Sequence, residues 1–347
     1  MLKPRQLVIL AVVVAALAAI SLLQRTSHQR STGRPSSAVL LDGTWTRDDL
    51  DRITLGYGDE PEAVVLQRTP AGWVVATAWQ AAASTQKLDA LLKTLSGFKG
   101  EFRSAGAAVL ADYGLAPAGA VTVRAVDGEG RQVIALDVGN QAAGGQGQFL
   151  RVPGSDAFHV GGASVLSALG LYGGPARPES RHFLELQAVQ EDRNSVDRIV
   201  LQDEHGTRTL AKIFATVPAA AGDSTAAAPE IDRLTWEWEL AGPPPQPLAK
   251  TRCDGVLGAI TSLRAVDVDD PAAPAADYGL AEPARRAVLV FADGRELMLA
   301  FGAEREAVEG RQGGTWLRVG DQPTVWVATT YAVGNIFKTL EDLQPGS

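Results

Sequence analysis

The chain of 347 residues contains a single cysteine, Cys253. No intramolecular disulfide can form, and the cysteine sets that hold structural zinc are excluded. Histidine is scarce too. His28, His159, His182 and His205 stand apart, none near another histidine or the cysteine at metal-ligand spacing. No Gly-x-Ser-x-Gly elbow occurs. Gly144-Gly145-Gln146-Gly147 has the composition of a phosphate loop, but it joins two expected strands and no Lys-Ser/Thr follows, so a hairpin tip accounts for it. No cofactor, catalytic residue or metal is expected.

What the chain does contain is a repeat. Ala111-Asp112-Tyr113-Gly114-Leu115-Ala116 recurs letter for letter as Ala276-Asp277-Tyr278-Gly279-Leu280-Ala281, 165 residues on. The same spacing relates two apolar helix stripes, Leu88, Leu91, Leu92, Leu95, Phe98 and Cys253, Val256, Leu257, Ile260, Leu263. Asp51–Leu55 matches Asp197–Leu201, and Phe149–Val152 matches Trp316–Val319. A long repeat present twice implies two similar units, not a solenoid of many short ones. The expected organisation is an anchor over residues 1–24, a flexible tether over 25–44, copy one over 45–175 and copy two over 176–347. The Ala/Pro-rich run from Val217 to Glu230 reads as a flexible insertion.

Within each copy, alternating segments bounded by turn residues predict hairpins, as in Val121–Val126 and Val133–Val138 around Asp127-Gly128-Glu129-Gly130. One main helix interrupts the strands. Gly114 is expected to take a positive φ at the end of a short helical turn. In copy two a closing helix is expected from about Tyr331 to Leu343. The fold class implied is α+β: an N-terminal transmembrane helix followed by two antiparallel strand-rich units, each with one packed helix.

The transmembrane expectation rests on Leu7–Leu23, 17 residues without a charge, at the short end of a membrane span. Ala16-Leu17-Ala18 resembles a signal-peptidase site, but the apolar run continues past it, which favours an uncleaved anchor over a cleaved signal. The expected placement is a single-pass inner-membrane protein, bound to the membrane through residues 7–23, with its bulk in the periplasm. Five of the 32 basic residues (Lys3, Arg5, Arg25, Arg30, Arg34) precede residue 35 and no acid does. The remainder therefore holds 27 basic against 40 acidic residues, a formal −13. Such a charge repels nucleic acid, so no nucleic-acid partner is expected.

Few side chains stand out as candidates for a partner or ligand surface. Arg151 and Arg318 occupy the same strand position in the two copies, and arginine suits carboxylates and phosphates; a structural ion pair or a solvated strand face is the competing account. Tyr113 and Tyr278 either line a groove or pack beside the glycine turn. Trp79 lies in a tryptophan group with Trp73, Trp236 and Trp238, read as core anchors against a sugar-stacking platform. Asp269-Asp270 beside Pro271 reads as loop charge. His159 aligns with Trp326 and reads as a half-buried strand residue. Cys253 aligns with Leu88 and reads as a small buried hydrophobe.

Taken together, the apolar N-terminal run, Gly72-Trp73, the Leu88-x-x-Leu91-Leu92 helix, the Ala-Asp-Tyr-Gly-Leu turn, the Leu150-Arg151-Val152 strand and Pro178-Glu179-Ser180-Arg181 resemble a bacterial membrane-anchored family, domain of unknown function 4340, here in two tandem copies. Copy two departs by carrying Gly242-Pro243-Pro244-Pro245 where copy one has Trp79-Gln80-Ala81-Ala82. The resemblance brings no catalytic residues. Members of the family are often encoded beside ABC-transporter components, which implies an accessory role in an export or envelope system with transporter subunits or auxiliary envelope proteins as partners. The function expected is thus a non-catalytic, membrane-tethered periplasmic accessory or binding protein; the alternative is an envelope hydrolase or carbohydrate-active enzyme with an unrecognised site.

Overall fold

The computed structural model describes residues 37–145, 147–162, 164–217, 230–308 and 310–346. The chain divides into two compact units, Met1–Val65 with Gln86–Glu179, and Leu66–Thr85 with Ser180–Ser347. Residues 66–85, which the repeat assigns to copy one, therefore count with the second unit.

In chain order the elements begin β1 (Ser37–Val39), β2 (Arg52–Tyr57), β3 (Glu60–Thr69), β4 (Gly72–Val75), β5 (Ala81–Ala82), α1 (Thr85–Leu95), β6 (Lys99–Ala105) and a 3-10 turn at Ala107–Tyr113. Next come β7 (Val121–Val126), β8 (Gln132–Gln141), β9 (Gln148–Arg151), β10 (Ala157–Gly161), α2 (Val165–Ala168) and α3 (Ser180–Phe183). The chain continues with β11 (Val196–Asp203), β12 (Gly206–Val217), β13 (Glu230–Leu240), β14 (Gln246–Pro247) and α4 (Lys250–Thr261). It ends β15 (Asp267–Asp269), β16 (Arg285–Phe291), β17 (Glu296–Arg305), β18 (Gly314–Val319), β19 (Val325–Ala328), α5 (Thr330–Ile336) and α6 (Leu340–Leu343).

Hydrogen-bonded neighbours in the first unit run β1-β6-β10-β9-β8-β7-β2-β3. Those of the second run β15-β19-β18-β17-β16-β11-β12-β13-β14. From β6 to β3 and from β15 to β12 the two orders correspond strand for strand. The second unit has no counterpart of β1 among the described residues.

The local reasons for these elements are visible in the burial. Side chains of β7 alternate buried and half-buried along Val121–Val126, as one packed face of a pleated strand requires. Leu88, Leu91, Leu92 and Leu95 form the buried stripe of α1, each contributing roughly 1.5–3 kcal/mol of apolar burial. The hairpin β7–β8 turns on Asp127, whose carboxylate accepts from the backbone of Glu129 and Arg131 at 2.9 Å each. Gly114 and Gly279 take φ of 67° and 64°, where a β-carbon is disfavoured. The tyrosine carbonyl just before each of these glycines packs on a second glycine, Gly139 or Gly302, whose added Cβ would collide with it. The repeated Ala-Asp-Tyr-Gly-Leu turn is thus a device that docks a turn directly on strand backbone.

Several expectations need correction. The described chain is built of two antiparallel sheets with few helices, not an α+β fold opening on a transmembrane helix. Its longest described helix, α4, has 12 residues and spans about 18 Å, against roughly 30 Å of hydrocarbon. No described helix is long and apolar enough to cross a membrane. The expected span Leu7–Leu23 lies outside the described residues, as does most of the Ala/Pro-rich insertion, 218–229. The membrane-spanning element, and the single-pass inner-membrane placement inferred from it, therefore gain no support from the fold. Both rested on hydrophobicity alone, over a run at the short end of a span, with no packing behind it. In the expected tether, Ser37–Val39 pair with Lys99–Glu101 as a strand. The expected closing helix is two helices. Thr339 caps the second by accepting from Asp342 N at 3.2 Å, while the Asp342 carboxylate accepts from Thr339 N at 3.0 Å.

Candidate binding cleft

Strand β6 places Lys99, Glu101 and Arg103 at alternate positions, all exposed. Arg103 falls where the pairing with β10 shifts register between Phe158 and His159, an extra residue that bends the strand. These three side chains line a cleft of about 860 Å³ together with Tyr113, Phe149 and Ala142, a size suited to a peptide or small ligand. None of the three has an ion-pair partner among the described residues. Tyr113 packs edge-on against Phe149 and tilted against Phe158, with ring centroids 4.6 and 4.5 Å apart, so the aromatic wall is held by packing.

The second unit occupies the corresponding place differently. Strand register fixes the equivalences. Glu101 pairs with Val160 and Asp267 with Val327, so Asp267 stands where Glu101 does. Ala142 donates its amide to Gly147 where Arg305 pairs with Gly314, so Arg305 replaces Ala142. Trp316 takes the place of Phe149, and Tyr278 that of Tyr113.

Here Arg305, 8 % exposed, binds two carboxylates that are equally buried. Its Nη2 reaches Asp267 at 2.7 Å and its Nη1 reaches Asp269 at 3.3 Å, while Nε donates to Gln312 O at 3.0 Å. Arg311 Nη2 lies 2.9 Å from Asp269 but off the line of a hydrogen bond. Trp316 Nε1 donates to Asp269 at 3.0 Å, and Tyr278 OH donates to Asp270 O at 2.9 Å. Burial works against the charge on Asp269, yet the bond from Trp316 and the neighbouring Arg311 outweigh it and hold the carboxyl below the ordinary range. Burial, with Asp269 and Asp270 adding to it, raises the Tyr278 phenol.

The residues singled out from sequence distribute unevenly. Tyr113 lines the cleft and Tyr278 lies beside the filled network. Trp79 faces the Arg311 guanidinium at 5.5 Å. It and Gln80 hold left-handed φ of 52° and 58°, costing of order 1–3 kcal/mol each. Arg151 is committed elsewhere: it binds buried Asp137 at 2.7 Å, sharing that carboxylate with Arg124 at 2.5 Å. Arg318 faces Ala300 across the ladder where Arg151 faces Asp137, and its Nε has no hydrogen-bond partner among the described residues. Sequence reading overlooked Lys99, Glu101, Arg103, Asp267, Arg305 and Arg311, and assigned Asp269 to a loop. The alternation of charge at 99, 101 and 103 was the available signal.

A second buried cluster lies in the second unit. Lys212, 6 % exposed, donates to Arg193 O at 2.5 Å and sits 4.0 Å from the Trp236 ring. Trp236 and Trp238 both donate to Asp254, at 3.1 and 2.8 Å. Burial, then the nearby Arg193 and Arg233, lowers the Lys212 ammonium to about 8. Cys253, beside this cluster in sequence, is fully buried, and burial followed by Asp254 pushes its thiol up to about 12, far from the thiolate a nucleophile needs. His159 is half-buried in β10 and burial lowers its imidazole. Two Ser-x-x-Lys spacings, Ser84–Lys87 and Ser96–Lys99, occur in the sequence; neither serine hydroxyl bonds its lysine among the described residues. No group of three or more His, Cys, Asp or Glu side chains placed to hold a metal occurs among the described residues.

The profile of a family described as Domain of unknown function (DUF4340) matches residues 73–213. That stretch contains the whole run β6–β10 that lines the cleft. No curated protein and no solved structure matches the chain.

Proposed function

We propose that this protein is a non-catalytic binding protein whose first unit carries the binding site, in the cleft lined by Lys99, Glu101, Arg103 and Tyr113. The observation that carries this reading is the contrast at one position. Arg305 fills the concavity of the second unit with its own guanidinium, whereas Ala142 leaves the equivalent place open. Unpaired charges around an aromatic wall suit recognition. They offer no nucleophile and base within hydrogen-bond reach.

On this reading the two units are tandem copies of one fold. The matching strand order and the repeated glycine-docked turn support that. The role that the family resemblance implies is accessory to an ABC-type export or envelope system, with transporter subunits as the partner.

The test is affinity capture by the full chain and by its A142R variant, which should close the first cleft as Arg305 closes the second. Transporter subunits recovered with the wild type and lost at least tenfold with A142R, at unchanged melting temperature, support the reading. Equal recovery by both proteins contradicts it.

A further inference from the structure

Positions 99, 101 and 103 carry charges in the order plus, minus, plus along one strand, the first two about 7 Å apart and the third set by the bulge. They line an open cleft and are exposed, and their side-chain charges have no ion-pair partner among the described residues. In the second unit the equivalent stretch is buried and its two carboxylates are consumed by Arg305 and Arg311. The first unit thus lacks the internal cation that satisfies the position of Glu101, and carries cations on either side. Three charges along one strand match another extended chain better than a compact solute, because an extended chain repeats at a similar interval. Tyr113 and Phe149 supply apolar surface for the side chains between the charges.

We infer that the cleft of the first unit binds an extended peptide segment of a protein partner carrying acidic, basic and acidic side chains at alternate positions. The basic side chain of that segment takes the place relative to Glu101 that Arg305 takes relative to Asp267. The acidic ones meet Lys99 and Arg103. This inference rests on the reading of the cleft as the binding site and adds the chemistry of its occupant.

The whole chain carries a formal −8, so unspecific attraction favours a basic peptide over an acidic one. That makes the test discriminating. Fluorescence anisotropy would compare labelled Glu-Val-Lys-Val-Glu with labelled Lys-Val-Glu-Val-Lys on the full chain. The expected result is at least tenfold tighter binding of the first peptide, against the net charge, with the preference inverted in the triple variant K99E/E101K/R103E and binding of the first peptide lost in A142R. Equal binding, tighter binding of the second peptide, no binding of either, or an unchanged preference in the triple variant overturns the inference. If that happens while A142R still releases the captured partner, the cleft remains the site and only the peptide chemistry falls. If A142R releases nothing, the cleft reading falls and the peptide inference falls with it. Lys99, Glu101 and Arg103 are exposed, so the triple variant should fold even where A142R strains the cleft wall.

Discussion

At the same place in the strand order, one unit of this molecule presents a cleft and the other a network of four charges, three of them buried. In the second unit Asp267 and Asp269 are desolvated and Arg305 answers both. In the first, Glu101 remains exposed and Ala142 contributes no charge. The scaffold around both places is shared: the Tyr-Gly turn docked on Gly139 or Gly302, the aromatic wall, and the two strands that carry the charges. The difference lies in the side chain at the end of β8 or β17 together with the charges on β6 or β15 that face it. It shows why the buried version needs so many partners. Removing one member of a buried ion pair strands the other, which costs far more than the pair contributes.

The largest expected effect breaks the comparison at its core. Leu88 and Cys253 are equivalent buried positions on α1 and α4. Aspartate at either should cost about 4 kcal/mol or more through an unpaired buried charge. In thermal unfolding, L88D should remove the transition of the first unit and C253D that of the second. Cys253→Leu should be tolerated at about 1–3 kcal/mol of overpacking. Next comes R305A, expected to destabilise the second unit by roughly 3–5 kcal/mol, with little effect on the first; urea unfolding followed by tryptophan fluorescence would show it. Because the folded state holds Asp269 below the ordinary range, its contribution is present above the usual aspartate pKa, about 4, and disappears as pH falls through the lowered folded value.

The smallest effect concerns Lys212. Its folded pKa of about 8 lies below the ordinary lysine value of about 10.4, so between these the unfolded chain binds more protons and stability rises with pH. Wild type should gain stability from pH 8 to 10 relative to K212M. Parallel urea midpoints for the two proteins across that range would contradict the burial of a charged lysine.

Much of this fold was legible in residue order. The hairpins β7–β8 and β9–β10, the stripes of α1 and α4, and the positive φ at Gly114 follow from periodicity and turn chemistry, all local signals. Strands β6 and β15 were not legible. Lys99-Gly100-Glu101-Phe102-Arg103 and Asp267-Val268-Asp269 show no apolar alternation, and Pro271 gives the latter segment the character of a loop. A partner of buried Asp269 is Arg305, 36 residues away, beyond any local window. The inclusion of residues 66–85 with the second unit was hidden for the same reason. Of the candidate residues, Tyr113 reached the cleft because the repeat drew attention to its turn. Arg151 did not, since its partner Asp137 sits on a neighbouring strand that only register could reveal.

The claim that the first unit is open where the second is filled can be tested on the unmodified protein by phenylglyoxal labelling with peptide mass spectrometry. The account predicts that Arg103 reacts at nearly the rate of the unfolded chain while Arg305 is protected at least tenfold. Equal rates at the two arginines, or faster labelling of Arg305, would contradict it.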